Sequence, residues 1–395
     1  MVQASPPIVR ADIREISAVG AGKLWLDVLS RQGLSGGPKL PTAVAVAERA
    51  LGLHAARLPS PYATLLARLD DHNQAGVIFG DVTGHNRFLT TVRCMRKTLH
   101  TLPISLGAIA HSATRHFRER DALRAAYNAG YSPAETTAMA GRLVALMAAS
   151  GPLSPREIEA RLSPAHAISE IRVGMKLAWE RGDLTYMNQS PHWNRERRVF
   201  GVTTEVVPGF SASVDHSKAA DLLIEAYFDR YGPASIHDAV WWSGLTKSHV
   251  LSALNQSVRP IIGLLTPWAT NVLYMFDDGP SGIARELNSE MAIDFLAHED
   301  VALKAYFETR ARYLAYLPPG KVFNQIGEVL PTILRGGQII GRWDWDRASR
   351  RVVWETFDVA THRDDTMCAR LAGSLTRTLL ERYDRPGRAE RSANL

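Results

Sequence analysis

The chain has 395 residues, 46% of them apolar and 22% charged, and carries a formal charge of +6. That length suits roughly two to four compact units, and the near-average composition excludes a fibrous or largely disordered chain. Two cysteines, Cys94 and Cys368, argue against a disulfide scaffold or a paired-cysteine zinc site, and no apolar run approaches the ~20 residues of a membrane span.

The N-terminus lacks the apolar stretch of a secretory signal, so a cytoplasmic protein of the nucleoid is expected. Its cations are mostly Arg, which forks onto phosphate oxygens and favours a polyanionic partner. Residues 9–150 read as one helical module with little strand. Within it, 41–69 gives helix, turn and helix, broken at Leu58-Pro59-Ser60-Pro61 because two prolines cannot sit inside a helix. A polar, Gly-rich loop at 70–88 and the basic stretch MRKTLHTLP at 95–103 follow.

From 151 the pattern changes. Ser154 with Pro155 opens a short helix, a turn leads to a longer amphipathic one, and 183–187 and 198–202 are strand-like. The polar connection between them bears Trp193 and Arg195, and the whole has a winged-helix layout. Residues 219–265 repeat the helical part through GPAS and SGLT caps. In LPTILRGGQIIGRWDWD, Gly336 and Gly337 supply the positive φ of a hairpin between alternating strands. The last residues, RYDRPGRAERSANL, read as a basic tail. The expected fold class is mainly α with β wings, an α+β protein. Its units are 1–150, 151–216, 217–270 and a β-rich 271–395.

The stretch LGLHAARLPSPYATLLAR at 51–68 resembles the catalytic segment of bacterial winged-helix alkylpurine DNA glycosylases of the AlkZ and YcaQ type. LSRQGLSG at 29–36, MRKTLHTLP, DRYGPASIHDAVWWSGL at 229–245 and the Gly336-Gly337 strand pair extend the resemblance over most of 24–357. The resemblance implies tandem winged-helix units in a C-shaped scaffold holding double-stranded DNA. It also implies hydrolytic release of alkylated purines, N7-alkylguanine or N3-alkyladenine, with no metal or cofactor. Bulky adducts or crosslinks, base-excision repair by a monomer, and self-resistance to a DNA-alkylating natural product belong to the same expectation. So does a monofunctional enzyme.

The family motif has two polar positions, which here fall on His54 and Ala56. A neutral imidazole at His54 can accept a hydrogen bond from the attacking water, whereas Ala56 cannot. Arg57, Asp70, Asp71 and His72 are the nearest polar groups for the second role, an Asp suiting an oxocarbenium-like sugar and Arg57 a phosphate. The bland alternatives are a half-buried helix histidine for His54 and solvated loop acids for Asp70 and Asp71. Arg96, Lys97 and His100 are expected to face DNA, or else to form a solvated basic helix end. Trp193 with Arg195, Arg197 and Arg198 suits a wing on DNA or an ordinary surface loop. Arg335 at the hairpin tip and Arg342 after it are placed in a groove by the family's docking mode. At least one of Trp241 and Trp242 reads as helix-packing core, and neither is counted as a base-stacking residue. A winged-helix protein that binds DNA without chemistry, as a regulator or damage sensor, is the alternative that Ala56 supports.

Overall fold

A computed structural model describes residues 9–80, 88–277 and 292–384; residues 81–87 of the expected loop and the tail from 385 lie outside the described residues. Helices and short strands alternate along the chain, and among the described residues the strands form four small sheets. Ser132, Ser154 and Ser235 each close a capping box with Glu135, Glu157 and Asp238. The helices Pro133–Ser150, Pro155–Leu162 and Ile236–Ser243 therefore begin where Ser precedes an acidic third helical position.

Pro155–Leu162 and Ile168–Arg181 lead into an antiparallel pair, Leu184–Asn188 with Arg198–Val202, the element order expected there. Gly182 ends the second helix at φ +84°, and a Cβ on it would meet His111 Nε2 at 2.7 Å. Both its conformation and the close approach therefore require glycine. His216–Tyr231, Ile236–Ser243 and Lys247–Gln256 repeat the helical part. They also have a hairpin that the sequence reading left out: Ile261–Leu265 pairs with Leu273–Phe276, and Asp12–Glu15 joins in parallel.

In the C-terminal part, Ile293–Leu296, Thr332–Arg335, Gln338–Asp346 and Arg351–Thr356 form one antiparallel sheet. Gly336 and Gly337 make its tight turn at φ +52° and +84°. The helix His362–Glu381 packs on this sheet, and so do Ala43–Arg49 and Ser60–Leu66, through a core that includes Val46, Leu65, Phe295, Ile333 and Trp343.

The expectation of little strand in 9–150 is corrected. Leu53–His54, Leu99–Pro103 and Leu89–Arg93 form an antiparallel sheet with Leu99–Pro103 in the middle. Leu51 and Gly52 take left-handed φ values of +46° and +98°, which stops the preceding helix and turns the chain into a strand. His54 is therefore a strand residue and not a helix residue. Likewise 95–103 is a 3₁₀ turn, Met95–Lys97, running into a strand.

One buried ion pair joins the two halves of this assembly. Arg68, one turn beyond Ser60–Leu66, donates from Nη1 and Nη2 to the two carboxylate oxygens of Asp300 at 2.9 and 2.6 Å, and both residues are fully buried. Asp300 also accepts from the Ala302 N–H and so caps the short helix Val301–Lys304. Removing one partner leaves a buried charge uncompensated, at a cost of about 3–5 kcal/mol. Asp300→Asn should therefore lower the urea midpoint by that equivalent, and the double variant Arg68→Met/Asp300→Leu should lose less than the two single changes added together. Strictly additive losses would contradict a coupled pair.

Candidate active site

Strand pairing sets His54 directly across from His100, their rings edge to face at 5.4 Å between centroids. Close packing fixes the approach, since a Cβ on Gly52 would lie 2.9 Å from Leu102 Cγ. His54 is 4% exposed, and neither ring nitrogen has a hydrogen-bond partner among the described residues. Burial, reinforced by the charges of Lys304, His298, Arg96 and Arg57, pushes its pKa down to about 3. Burial does the same for His100, also to about 3, with His54 adding to it. Both imidazoles are thus neutral at physiological pH.

The third member comes from far along the sequence. Glu299 is 3% exposed, and its Oε2 lies 3.8 Å from His54 Nε2. Its Oε1 accepts the Val329 N–H at 2.7 Å, and Oε2, the oxygen facing His54, also pairs with the Lys304 ammonium. Glu299 sits at φ +56°, an uncommon conformation for a residue with a side chain, held by its own N–H donating to the Val329 carbonyl at 2.8 Å. Around this centre Arg96 stacks at 3.7 Å over Trp241, which Lys304 also faces at 5.6 Å. Arg57 pairs with Glu328 at 2.6 Å, and His298 Nε2 lies 3.7 Å from the same carboxylate.

The structure therefore brings His54, His100 and Arg96 together around one carboxylate, with Arg57 at the edge, 51% exposed. Asp70 and Asp71 are not part of it. Both are exposed, and Asp71 caps the turn His72–Gly76 through the Asn73 N–H at 2.9 Å, the ordinary role of an acid at a helix start. His72 is exposed on that same turn. Lys97 points to Asp121 and pairs with it.

Trp193 is corrected from a stacking face to core. It is 4% exposed, and its indole N–H donates to the Leu379 carbonyl at 2.7 Å while its ring packs on Trp345 and Tyr383. Arg195, Arg197 and Arg198 remain exposed beside it, Arg195 pairing with Asp384 at 2.6 Å and Arg198 with Glu196 at 3.1 Å. Arg335 is also corrected. It pairs with the buried Asp364, and the hairpin tip is packed inward, where a Cβ on Gly337 would meet Trp25 Nε1 at 2.7 Å. A tip packed on Trp25, with its Arg tied to Asp364, does not offer a free cation to a groove. Arg342 pairs across the sheet with Glu355 and is 45% exposed. Trp242 is core, whereas Trp241, only partly buried, carries Arg96.

Glu299, Lys304, His298 and Glu328 were outside the sequence reading. The one available signal was the charged triplet His298-Glu299-Asp300 interrupting an apolar run, IDFLAHEDVALKAYF.

The family model of AlkZ-like DNA glycosylases matches residues 47–381, nearly the whole described part of the chain. The chain belongs to the AlkZ-like DNA glycosylase family. It is thus a DNA glycosylase, with DNA as its substrate. Among solved structures it is similar to Streptomyces sahachiroi DNA glycosylase AlkZ, at a TM-score of 0.73 and 17% identity over 93% of this chain and 97% of that one, a likeness of fold. A comparison with curated proteins found no match. No helix among the described residues is long and apolar enough to cross a membrane.

The glycosylase's buried histidines set its acid stability. His111, whose Nδ1 lies 3.1 Å from Arg118 Nη2, is likewise held down to about 3, mainly by burial. The unfolded chain protonates all three near 6.5, while the folded chain resists until about 3, so stability is full above 6.5 and falls as pH drops below it. The slope is at most about 1.4 kcal/mol per pH unit for each histidine. Urea unfolding at pH 7.5 and 5.0 should show a loss of several kcal/mol, reduced in His54→Gln/His100→Gln; equal stability at the two pH values would refute neutral burial.

Proposed function

We propose that this glycosylase hydrolyses the N-glycosidic bond of alkylated purines in double-stranded DNA, using His54 and Glu299 on the attacking water and the developing sugar cation. The observation that carries the reading is the buried Glu299 carboxylate 3.8 Å from a neutral His54 with two unpartnered nitrogens. A neutral imidazole and a carboxylate both accept hydrogen bonds, so together they orient a water, and the carboxylate stabilises an oxocarbenium-like sugar. Glu299 thereby supplies the acceptor that Ala56 lacks.

A histidine with a pKa of about 3 is a poor proton donor to a leaving base. Such a centre suits a base that departs without protonation, and an N7-alkylguanine or N3-alkyladenine already carries positive charge. Lys304 is paired with Glu299, and in this reading it serves that carboxylate and not as a nucleophile, in keeping with a monofunctional enzyme. Arg96, His100 and Arg57, with Arg195, Arg197, Arg198 and Arg342 outside the centre, are the proposed DNA-side groups; Asp70 and Asp71 have no part. In the same reading a monomer cradles the duplex between the units 1–150, 151–216, 217–270 and 271–395 as tandem winged helices. Its work is base-excision repair of bulky alkyl adducts or crosslinks, which would give self-resistance to a DNA-alkylating natural product.

Incubation with a duplex carrying N7-methylguanine, followed by alkali, should give strand breaks above the no-enzyme control, and borohydride should trap no protein–DNA adduct. Glu299→Gln and His54→Ala should each slow base release by about 10²–10³-fold with DNA binding retained. Asp71→Asn should leave the rate within about twofold, as a surface change does. DNA binding without base release in the unaltered protein would favour the non-catalytic alternative, and full activity in Glu299→Gln would remove this carboxylate from the chemistry.

A further inference from the structure

Two half-buried arginines near the centre lack the partner that others have. Arg57, Arg93, Arg118 and Arg335 each pair with a carboxylate, whereas Arg96 and Arg310 have no such partner among the described residues. Only Nη1 of Arg96 is sealed from solvent; its other nitrogens, and all those of Arg310, can be reached. Arg312 is also unpaired, but every one of its guanidinium nitrogens is sealed beside Trp25 and Tyr306, so it offers nothing to a ligand.

One helix, Ile236–Ser243, fixes both. Its Trp241 carries the Arg96 guanidinium at 3.7 Å, and Gly244, which ends it, packs on the Arg96 backbone, where a Cβ would lie 3.4 Å from the Arg96 nitrogen. Arg96 and Lys97 both take left-handed φ values, +52° and +63°, which residues with side chains hold only where the surroundings impose them. Asp238 of the same helix accepts the N–H groups of Phe307 and Glu308 at 2.8 and 2.7 Å, which sets the turn Thr309–Tyr313 and with it Arg310. Phe307 stacks on Trp241 at 5.5 Å between centroids, and the Arg310 guanidinium lies 5.0 Å from the Phe307 ring. Arg96, Trp241, Phe307 and Arg310 are thus one run of contacts. The carboxylates nearby are spent elsewhere, Asp238 on these backbone groups, Glu308 on Ser235 and Asn271, and Glu299 on Lys304. Burial pulls the pKa of both arginines down, in Arg96 with a further push from Arg310, so an anion supplied from outside would relieve both.

We propose that Arg96 and Arg310 form a clamp on the backbone of the strand that carries the target nucleotide, gripping the phosphates beside it so that its sugar is set against His54 and Glu299. The proposal rests on the reading of those two residues as the reacting centre. Lys304, paired with Glu299, faces the same Trp241 ring at 5.6 Å, so the clamp adjoins that centre. A guanidinium forks onto phosphate oxygens, and a phosphate contact fixes register without reading a base. The clamp therefore acts on position and affinity, whatever lesion the base carries.

Binding of the full chain to a duplex with one stable abasic analogue, followed by fluorescence anisotropy across a salt series, tests it. Arg96→Gln and Arg310→Gln should each weaken binding about tenfold and flatten the plot of log affinity against log salt by about one, since each removes a phosphate contact. Arg310→Lys, which keeps the charge and loses the fork, should restore the slope but not the full affinity. In the unaltered protein a neutral methylphosphonate at a phosphate flanking the analogue should weaken binding about tenfold, and in Arg96→Gln/Arg310→Gln by less than about twofold. The clamp is overturned if no flanking linkage matters to the unaltered protein, or if the double variant suffers the same penalty. Weaker binding of Arg310→Gln with an unchanged salt slope would mark that residue as structural and overturn it too, as would unchanged binding. Failure of the wider reading looks different: a protein that shows these slopes and penalties but releases no base from alkylated duplex keeps the clamp and loses the chemistry at His54 and Glu299.

Discussion

The candidate centre depends on the pairing of Arg68 with Asp300, two fully buried residues separated by 232 positions in the chain. Arg68 follows the helix that the Pro59–Pro61 turn starts, so it is fixed relative to His54. Asp300 caps Val301–Lys304, so it is fixed relative to Lys304. Between these anchors Glu299 has little freedom. It is held in left-handed backbone geometry by a two-way hydrogen-bond exchange with Val329, and such a conformation persists only where its surroundings over-determine it.

The same electrostatic arrangement appears twice. At Arg118 a fully buried guanidinium is matched by Glu180 at 2.7 Å and donates to a neutral His111. At Lys304 a mostly buried ammonium is matched by Glu299 beside a neutral His54. In both, a cation balanced by one carboxylate holds an imidazole in its neutral form, because burial and the nearby positive charge both disfavour protonation. The difference lies in partners. His111 Nε2 also donates to the Arg181 carbonyl at 3.2 Å, whereas His54 has no partner at either nitrogen among the described residues. A histidine already satisfied on both sides is structural; the proposed function draws on the one whose hydrogen-bonding capacity is unspent.

Local chemistry was legible in the sequence at several caps and turns. The Ser caps, the Gly336-Gly337 turn and the hairpin after Arg181 depend on residues a few positions apart. The stretch 95–103 failed because Arg96 and His100, four apart, imitate a helical face, while the alternation that makes 99–103 a strand is too short to stand out. Trp193 failed because its neighbours are all polar, yet its own indole reaches the helix His362–Glu381. Asp70 and Asp71 are near His54 along the chain, but the fold turns them to solvent. Glu299 was out of reach, because its link to His54 passes through two buried contacts and no spacing in the sequence encodes them.

That distance bears on how a catalytic role moves. An acceptor at position 56 would be an amide or acid held beside His54 by the backbone of the same segment, whereas Glu299 arrives from another element and brings a full charge into a buried site. A lone buried charge is costly, and the Lys304 ammonium paired with this carboxylate offsets that cost. The ammonium also tempers the attraction between the carboxylate and any cation in the site. In the proposed reading, positive charge that develops on the sugar during bond breaking meets a carboxylate already oriented by Val329 and Lys304, so little reorganisation is needed then. In the proposed reading, loss of the polar group at Ala56 is thus tolerable only in a chain whose His298-Glu299-Asp300 turn is anchored as firmly as Arg68 anchors it here.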